Sequence, residues 1–333
     1  MSKSVLFVGG TGIISSACVK EAVAQGYEVT VLNRSKTKFR EISKDVEVVI
    51  ADIRNENEYR EAVSRRSFDC VINFIAFVTD HIKTDIGIFK DNCGQYIFIS
   101  SASAYQKPLE KLPIRESTPL INPYWQYSRD KIACEGLLMD EHRVSGFPAT
   151  IVRPSHTYDQ TLLPFEGGYS VISRMKKGLP IVIHGDGTSL WTLTYNEDFA
   201  RAFSFLLANK SAVGDSFHIT SDELLTWNQI YQIMAEAAGI KEVNYLHLAS
   251  ESIAEVAPEL GPSLLGDKSY SVIFDNSKIK AMAPGWQALT PFRVGAEKIM
   301  AFYDSHPEWQ QENQQMSQTL ELLAKRALAR DCI

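Results

Sequence analysis

With 333 residues the chain has room for one large or two modest domains, and 45% hydrophobic against 22% charged residues is ordinary for a soluble globular protein. A formal net charge of -6 at pH 7 argues against a broad surface for nucleic acid or an anionic membrane and leaves room for a local basic pocket. No apolar run spans a membrane, no signal-peptide pattern opens the chain, and the five cysteines lack metal or disulfide spacing, so a cytoplasmic protein with reduced thiols and no metal centre is expected.

In chain order, short β-branched runs at 5–8, 29–32, 46–50, 71–74, 96–99 and 150–152 alternate with helix-length segments. That rhythm predicts α/β architecture: a doubly wound parallel Rossmann sheet joined by crossover helices. After Pro154 the rhythm loosens. Gly167-Gly168, Gly178 and His184-Gly185-Asp186-Gly187 punctuate short segments, then come a helix near 197–208, a strand at 217–219 and a helix over 227–238 capped by Thr226. From Pro307 the sequence is Gln- and Leu-rich and reads as a surface helix without chemistry. The expected division is a dinucleotide-binding domain over 1–160 plus about 192–222. A smaller C-terminal α/β substrate lobe takes about 161–191 and 223–333.

The first strand runs into Gly9-Gly10-Thr11-Gly12-Ile13-Ile14-Ser15 and a helix over 16–25. Glycines there let the backbone turn tightly and approach a pyrophosphate seated on the free N–H groups of a helix start, with Ser15 as the small residue packing helix on strand. Asn33 and Arg34 end the second strand, where a carboxylate would bind the ribose hydroxyls of NAD. A neutral residue followed by a cation favours the 2′-phosphate of NADP, with NAD as the alternative, and Lys36 and Lys38 are possible helpers. Asp52-Ile53 is placed to touch the adenine and Phe74-Ile75-Ala76 to line the dinucleotide.

Tyr127 and Lys131 stand four residues apart, hence on one helical face. A fixed cation beside a phenol favours the phenolate and brings a proton that ordinarily leaves near pH 10 toward use at neutrality. Ser101, in the Ser100-Ser101-Ala102-Ser103 run after the fifth strand, is placed to hold the reacting oxygen for that phenol.

These motifs together resemble the extended short-chain dehydrogenase/reductase family, the NAD-dependent epimerase/dehydratase group. The residues carrying the resemblance are the Gly9–Gly12 turn, Ser100-Ser101, Tyr127-x-x-x-Lys131 and Arg153-Pro154. It continues more faintly through Gly185-Asp186-Gly187, Asn196-Glu197-Asp198 and Pro284-Gly285-Trp286. The resemblance implies Tyr127 as general acid/base, Lys131 as its electrostatic partner and binder of the nicotinamide ribose, and Ser101 as anchor of the substrate oxygen. It implies that the segment at Pro154 passes the nicotinamide and that His156 stands where epimerases place an asparagine for the substrate.

Three departures narrow what the resemblance implies. Ala102 and Ser103 stand where dehydratases carry acidic residues, which disfavours a typical sugar 4,6-dehydratase and leaves Ser103 as a substrate contact. Trp191 falls at or beside the position of the family's diphosphate-binding arginine, with core packing or stacking on a base or sugar as its roles, and Arg293 and Lys278 remain as cations for a phosphate. The segment 78–94 is short for the long helix of the family, which puts the usual homodimer in question. The expected function is an NAD(P)-dependent oxidoreductase or epimerase acting on a hydroxyl or keto carbon of a sugar, a small-molecule substrate expected to be nucleotide-linked. The alternative is a non-catalytic cofactor-sensing or RNA-associated member of the same fold, as in relatives resembling chloroplast stem-loop-binding proteins.

Overall fold

The computed structural model of the chain describes residues 2–34, 40, 42–64 and 66–330. The first half lays down β1 (Ser4–Val8), α1 (Ile13–Ala24), β2 (Glu28–Asn33), β3 (Glu47–Ile50), α2 (Glu56–Val63), β4 (Cys70–Asn73), α3 (Thr79–Phe89), β5 (Tyr96–Ile99), α4 (Gln126–Ser145) and β6 (Ala149–Pro154). Then follow β7 (His156–Tyr158), α5 (Tyr169–Lys176), β8 (Ile181–His184), β9 (Leu190–Trp191), β10 (Leu193–Tyr195), α6 (Asn196–Ser204), β11 (Ser216–Ile219), β12 (Leu225–Thr226) and α7 (Trp227–Ala237). The chain closes with β13 (Tyr245–Leu248), α8 (Ser250–Val256), α9 (Gly261–Ser263), α10 (Ser277–Met282), α11 (Phe292–Ser305) and α12 (Gln314–Arg330).

The main sheet is seven-stranded and wholly parallel, in the order β11-β6-β5-β4-β1-β2-β3. The expected Rossmann architecture is thus present, and the strand predicted at 217–219 is its seventh member. Strands such as β5, Tyr-Ile-Phe-Ile, are buried on both faces, which a parallel sheet covered by helices requires. On one face Ala17, Val19 and Ala22 of α1 pack with Phe199 and Phe203 of α6 against Val5, Phe7 and Val31. On the other, Ile82 and Phe89 of α3 and Leu138 of α4 meet Leu6, Val71, Tyr96 and Phe98. Each of the Val, Leu, Ile and Phe side chains among them contributes about 1.5–3 kcal/mol by leaving water. The strand order reverses between β1 and β4, which opens a crevice at the carboxyl ends of the strands.

A third core gathers Tyr158, Phe165, Ile172, Ile183, Trp191, Trp227, Phe292 and Ile299. Thr226 caps α7 as expected, with its hydroxyl accepting from the Gln229 amide at 3.2 Å and the Gln229 side chain accepting from the Thr226 amide at 2.8 Å. Residues 78–94 do hold a helix, α3, of eleven residues. The closing segment differs from the expected bare surface helix: α12 docks Leu323 and Ala327 onto Leu248, Ile253, Leu260 and Leu264.

A buried ion pair sets the position of α4. Arg153 of β6 donates from Nη2 to Glu135 Oε2 at 2.6 Å and from Nε to Oε1 at 3.0 Å, and its Nη1 reaches the Tyr105 hydroxyl at 3.1 Å. The two side chains are 5% and 3% exposed, so removing one strands the other's charge in a dry interior. Glu135→Leu is expected to lower stability by about 3–5 kcal/mol, read as a drop in the urea midpoint. The double variant Glu135→Leu/Arg153→Met should recover most of the loss, and a single variant as stable as the wild type would refute this role.

Candidate active site

The glycine turn is built by close approaches. Gly9 has φ +86°, and a Cβ on it would stand 2.7 Å from Ile75 Cγ2; one on Gly10 would stand 2.6 Å from Val31 Cγ1. The Gly10 amide donates to Asn33 Oδ1 at 3.0 Å, and the Gly12 amide to Ser15 Oγ at 2.8 Å. Asn33 therefore folds the turn as well as ending β2. The first-turn N–H groups of α1 lack intrahelical acceptors by geometry and open onto a cavity of about 680 Å³. Gly9, Thr11, Gly12, Ile13, Ile14, Asn33, Arg34, Asp52, Ile53, Phe74, Ile75, Lys131 and Pro154 line it. Gly10 and Ala76 stand just behind, acting through their backbones. Arg34 is exposed at this cavity and forms no ion pair among the described residues. Lys36 and Lys38 lie outside the described residues.

The residues of this cavity fit a dinucleotide. The tight glycines make room for a pyrophosphate at a helix N-terminus, and Ser100 Oγ lies buried at the wall without a hydrogen-bond partner among the described residues. Two contributors escaped the sequence reading. Arg54 lines the cavity and donates to the Ile75 carbonyl at 2.5 Å. Arg40 bridges the Thr11 carbonyl at 3.3 Å to Asp159 at 2.7 Å.

Tyr127 and Lys131 lie on the first turns of α4, as their spacing implies, but their coupling differs from expectation. Lys131 Nζ donates to the Ala76 carbonyl at 2.7 Å and the Ile99 carbonyl at 2.8 Å, and sits 5.8 Å from the Tyr127 ring centre. Burial brings its pKa down to about 8. Tyr127, in turn, is not drawn toward neutrality. Burial pushes its phenol above the ordinary value, a hydrogen bond with Ser101 pulls it back, and the charge of Asp267 adds to the rise. The physical reason is that the ammonium is spent on two carbonyls while the ring loses water.

Ala76 is itself held in place. Asn73 Oδ1 accepts the Ile75 and Ala76 amides at 2.8 and 2.9 Å, and Asn73 Nδ2 donates to Asp85 at 2.6 Å. Asp85 is fully buried, and that burial brings its carboxyl up to about 6.

Beside Tyr127 a second cavity of about 320 Å³ is lined by Ser101, Ser103, Trp125, Pro154, His156, Trp191, Asp267 and Lys268, among others. Tyr127, Pro154, Ile14 and Thr157 line both cavities. Ser101 Oγ lies 2.9 Å from Ser103 Oγ, which also accepts from Ser128 Oγ at 2.8 Å, so the Ser103 hydroxyl is engaged in holding Ser101. His156 Nδ1 accepts from Trp191 Nε1 at 3.3 Å, and burial lowers its pKa to about 3. The ring is thus neutral near pH 7, with its proton on Nε2. Trp191 is both core and wall: it packs 5.2 Å from Trp227 and lines the cavity.

Two expected cations are elsewhere. Arg293 is paired at 2.6 Å with Glu236 on an exposed face, and Lys278 is tied to Asp215, so neither reaches this cavity. Both charges are satisfied by carboxylates of neighbouring elements, a pairing no local motif announces. The cavity's cation is instead Lys268, 3.0 Å from Glu166. No cluster of metal-ligating side chains occurs among the described residues, and no described helix is long and apolar enough to cross a membrane.

Residues 5–220 match the model of the NAD dependent epimerase/dehydratase family, and the chain belongs to that family. It is 25% identical over 291 residues to the 2'-dehydrokanamycin reductase of Streptomyces kanamyceticus, covering 85% of this chain and 80% of that one. It is 25% identical over 258 residues to a chloroplast stem-loop binding protein of 41 kDa of Arabidopsis thaliana, covering 74% of this chain and 66% of that one. Among solved structures, an epimerase of Methanothermobacter thermautotrophicus superposes with a TM-score of 0.76 at 16% identity, over 93% of this chain and 94% of the other. The dTDP-glucose 4,6-dehydratase of Bacillus anthracis, solved in complex with NAD, gives 0.73 at 18%, over 92% and 98%. Both structures share the fold.

With its pKa near 8, Lys131 loses its charge at a pH where surface lysines remain charged. Following the Lys131 side-chain resonance by NMR across pH should give a titration midpoint near pH 8. A midpoint matching the surface lysines would contradict this geometry.

Proposed function

We propose that the protein is an NAD(P)-dependent oxidoreductase or epimerase that moves a hydride to or from a hydroxyl or keto carbon of a sugar, with Tyr127 as acid/base. One observation carries the reading: Tyr127 lines both the cavity that fits a dinucleotide and the smaller cavity beside it, with Ser101 at its hydroxyl. A bound nicotinamide dinucleotide supplies or accepts the hydride. Ser101 hydrogen-bonds the substrate oxygen, and Tyr127 gives that oxygen its proton in reduction or removes it in oxidation. The raised phenol pKa suits the donating role at neutral pH. Lys131 orients the ribose end of the cofactor and holds the Ala76 and Ile99 carbonyls. The neutral His156 presents Nε2–H to the substrate, and Trp191 offers an aromatic wall.

Relatives named for nucleotide sugars support a nucleotide-linked substrate, and the relative named 2'-dehydrokanamycin reductase supports a reductase reaction. Residues 1–160 with about 192–222 form the cofactor-binding part of this reading, and the remainder bears the substrate. Arg34, exposed at the cofactor cavity beside the neutral Asn33, supports NADP over NAD. Resemblance to a stem-loop-binding protein supplies the rival reading. The net charge of -6 and the joint presence of Ser101, Tyr127 and Lys131 weigh against it.

Turnover should be sought by following NADPH absorbance with a panel of keto sugars, free and nucleotide-linked. Tyr127→Phe is expected to lower kcat by about 10²–10⁴-fold while NADP affinity stays within about threefold. Unchanged turnover would sink the assignment of Tyr127. Arg34→Ala should weaken NADP about tenfold, the loss of one charge-assisted hydrogen bond of about 1.5 kcal/mol, and leave NAD unaffected. Equal calorimetric affinities for both cofactors in both proteins would refute the NADP preference.

A further inference from the structure

The segment after β5 carries Lys107, whose side chain is fully buried. Its Nζ stands 3.4 Å from Asp267 Oδ1 and donates no hydrogen bond among the described residues. A buried ammonium held by one carboxylate and no hydrogen bond is costly, so the pair is a poor device for stability alone. Asp267 is 18% exposed, lines the smaller cavity with Tyr127 and Ser101, and its carboxylate accepts no hydrogen bond among the described residues.

The backbone around Asp267 is fixed. The Asn122 amide donates from Nδ2 to the Ser103 carbonyl at 2.8 Å and to the Gly266 carbonyl at 2.7 Å. A Cβ on Gly266 would stand 2.9 Å from Trp125 Cβ, so the segment approaches α4 as closely as a glycine allows. Asp267 is thereby clamped to the strand end that carries Ser101. Lys268 next to it is neutralised by Glu166.

We propose that Asp267, backed by Lys107, is an acceptor subsite for a hydroxyl or amino group of the sugar near its reacting carbon. An ionised carboxylate only accepts hydrogen bonds, so the ligand group it takes is a donor. Lys107 stands 3.4 Å behind the carboxylate as its counter-charge, and hydrogen bonds to a charged acceptor are stronger than those to a neutral one. The ring walls are aromatic, Trp125 and Trp191, and suit the apolar face of a pyranose. The inference rests on the proposed sugar chemistry for the position of the reacting carbon, at Tyr127.

The test is calorimetry on NADP-loaded protein with UDP-glucose, UDP-galactose, glucosamine and UDP alone. The proteins compared are the wild type, Asp267→Asn and the charge-neutral double variant Lys107→Met/Asp267→Leu. The wild type should bind at least one sugar ligand, and both variants should bind it about tenfold or more weakly, with affinity for UDP and NADP within about twofold. The double variant guards against a fold lost to an unpaired lysine. Wild-type protein that binds no sugar ligand, variants that keep full affinity, or variants that lose NADP along with the sugar all overturn the proposal. Tyr127→Phe separates the two readings: it should still bind the sugar while kcat falls about 10²–10⁴-fold. Retained turnover there would remove the proton-transfer role and leave the Asp267 result standing.

Discussion

One ammonium ties the crevice together. Lys131 reaches from α4 to the carbonyls of Ala76 and Ile99, the chain just beyond β4 and the end of β5. Those two strands and β1 frame the point where the strand order reverses, so a single cation fixes the angle of the helix that carries Tyr127 over the cleft. The Glu135–Arg153 pair repeats the tie one turn further along α4, to β6. A helix anchored at two points along its length to three strands cannot rotate independently of the sheet, which is how a tyrosine on a helix is held against a strand-end serine.

The support extends beneath the sheet. Asn73 turns its carbonyl oxygen to the Ile75 and Ala76 amides because its amino group is claimed by Asp85. A buried acid thus decides the orientation of an amide, the amide shapes a turn, and the turn supplies the acceptor for Lys131. Partial protonation of Asp85 near pH 6 weakens the first link in that series.

The sheet and the cofactor side were legible because their signals are local: a glycine turn after a strand, β-branched runs, a four-residue helical spacing. The substrate side was less so. Asp267, Lys268 and Lys107 come from segments with no motif of their own and meet only through the Asn122 clamp and the ion pairs. Arg293 illustrates the converse: its charge is plain in the sequence, but Glu236 on α7 claims it, and only tertiary packing decides that. The same limit affected the Tyr127–Lys131 pair. Spacing puts both on one face, yet the carbonyls that capture the ammonium arrive from strands far away in sequence. Dense burial rather than proximity then sets the phenol's acidity.

Asn33 binds the Gly10 amide through a carbonyl oxygen, and an aspartate offers an oxygen in the same place. The turn is therefore indifferent to which of the two residues stands there, while the charge of the cavity wall is not. Exchanging asparagine for aspartate there would add a negative charge beside Arg34 at the cavity wall and leave the hydrogen bond of the turn in place. Fold retention and the charge of the cavity meet at this position without constraining one another.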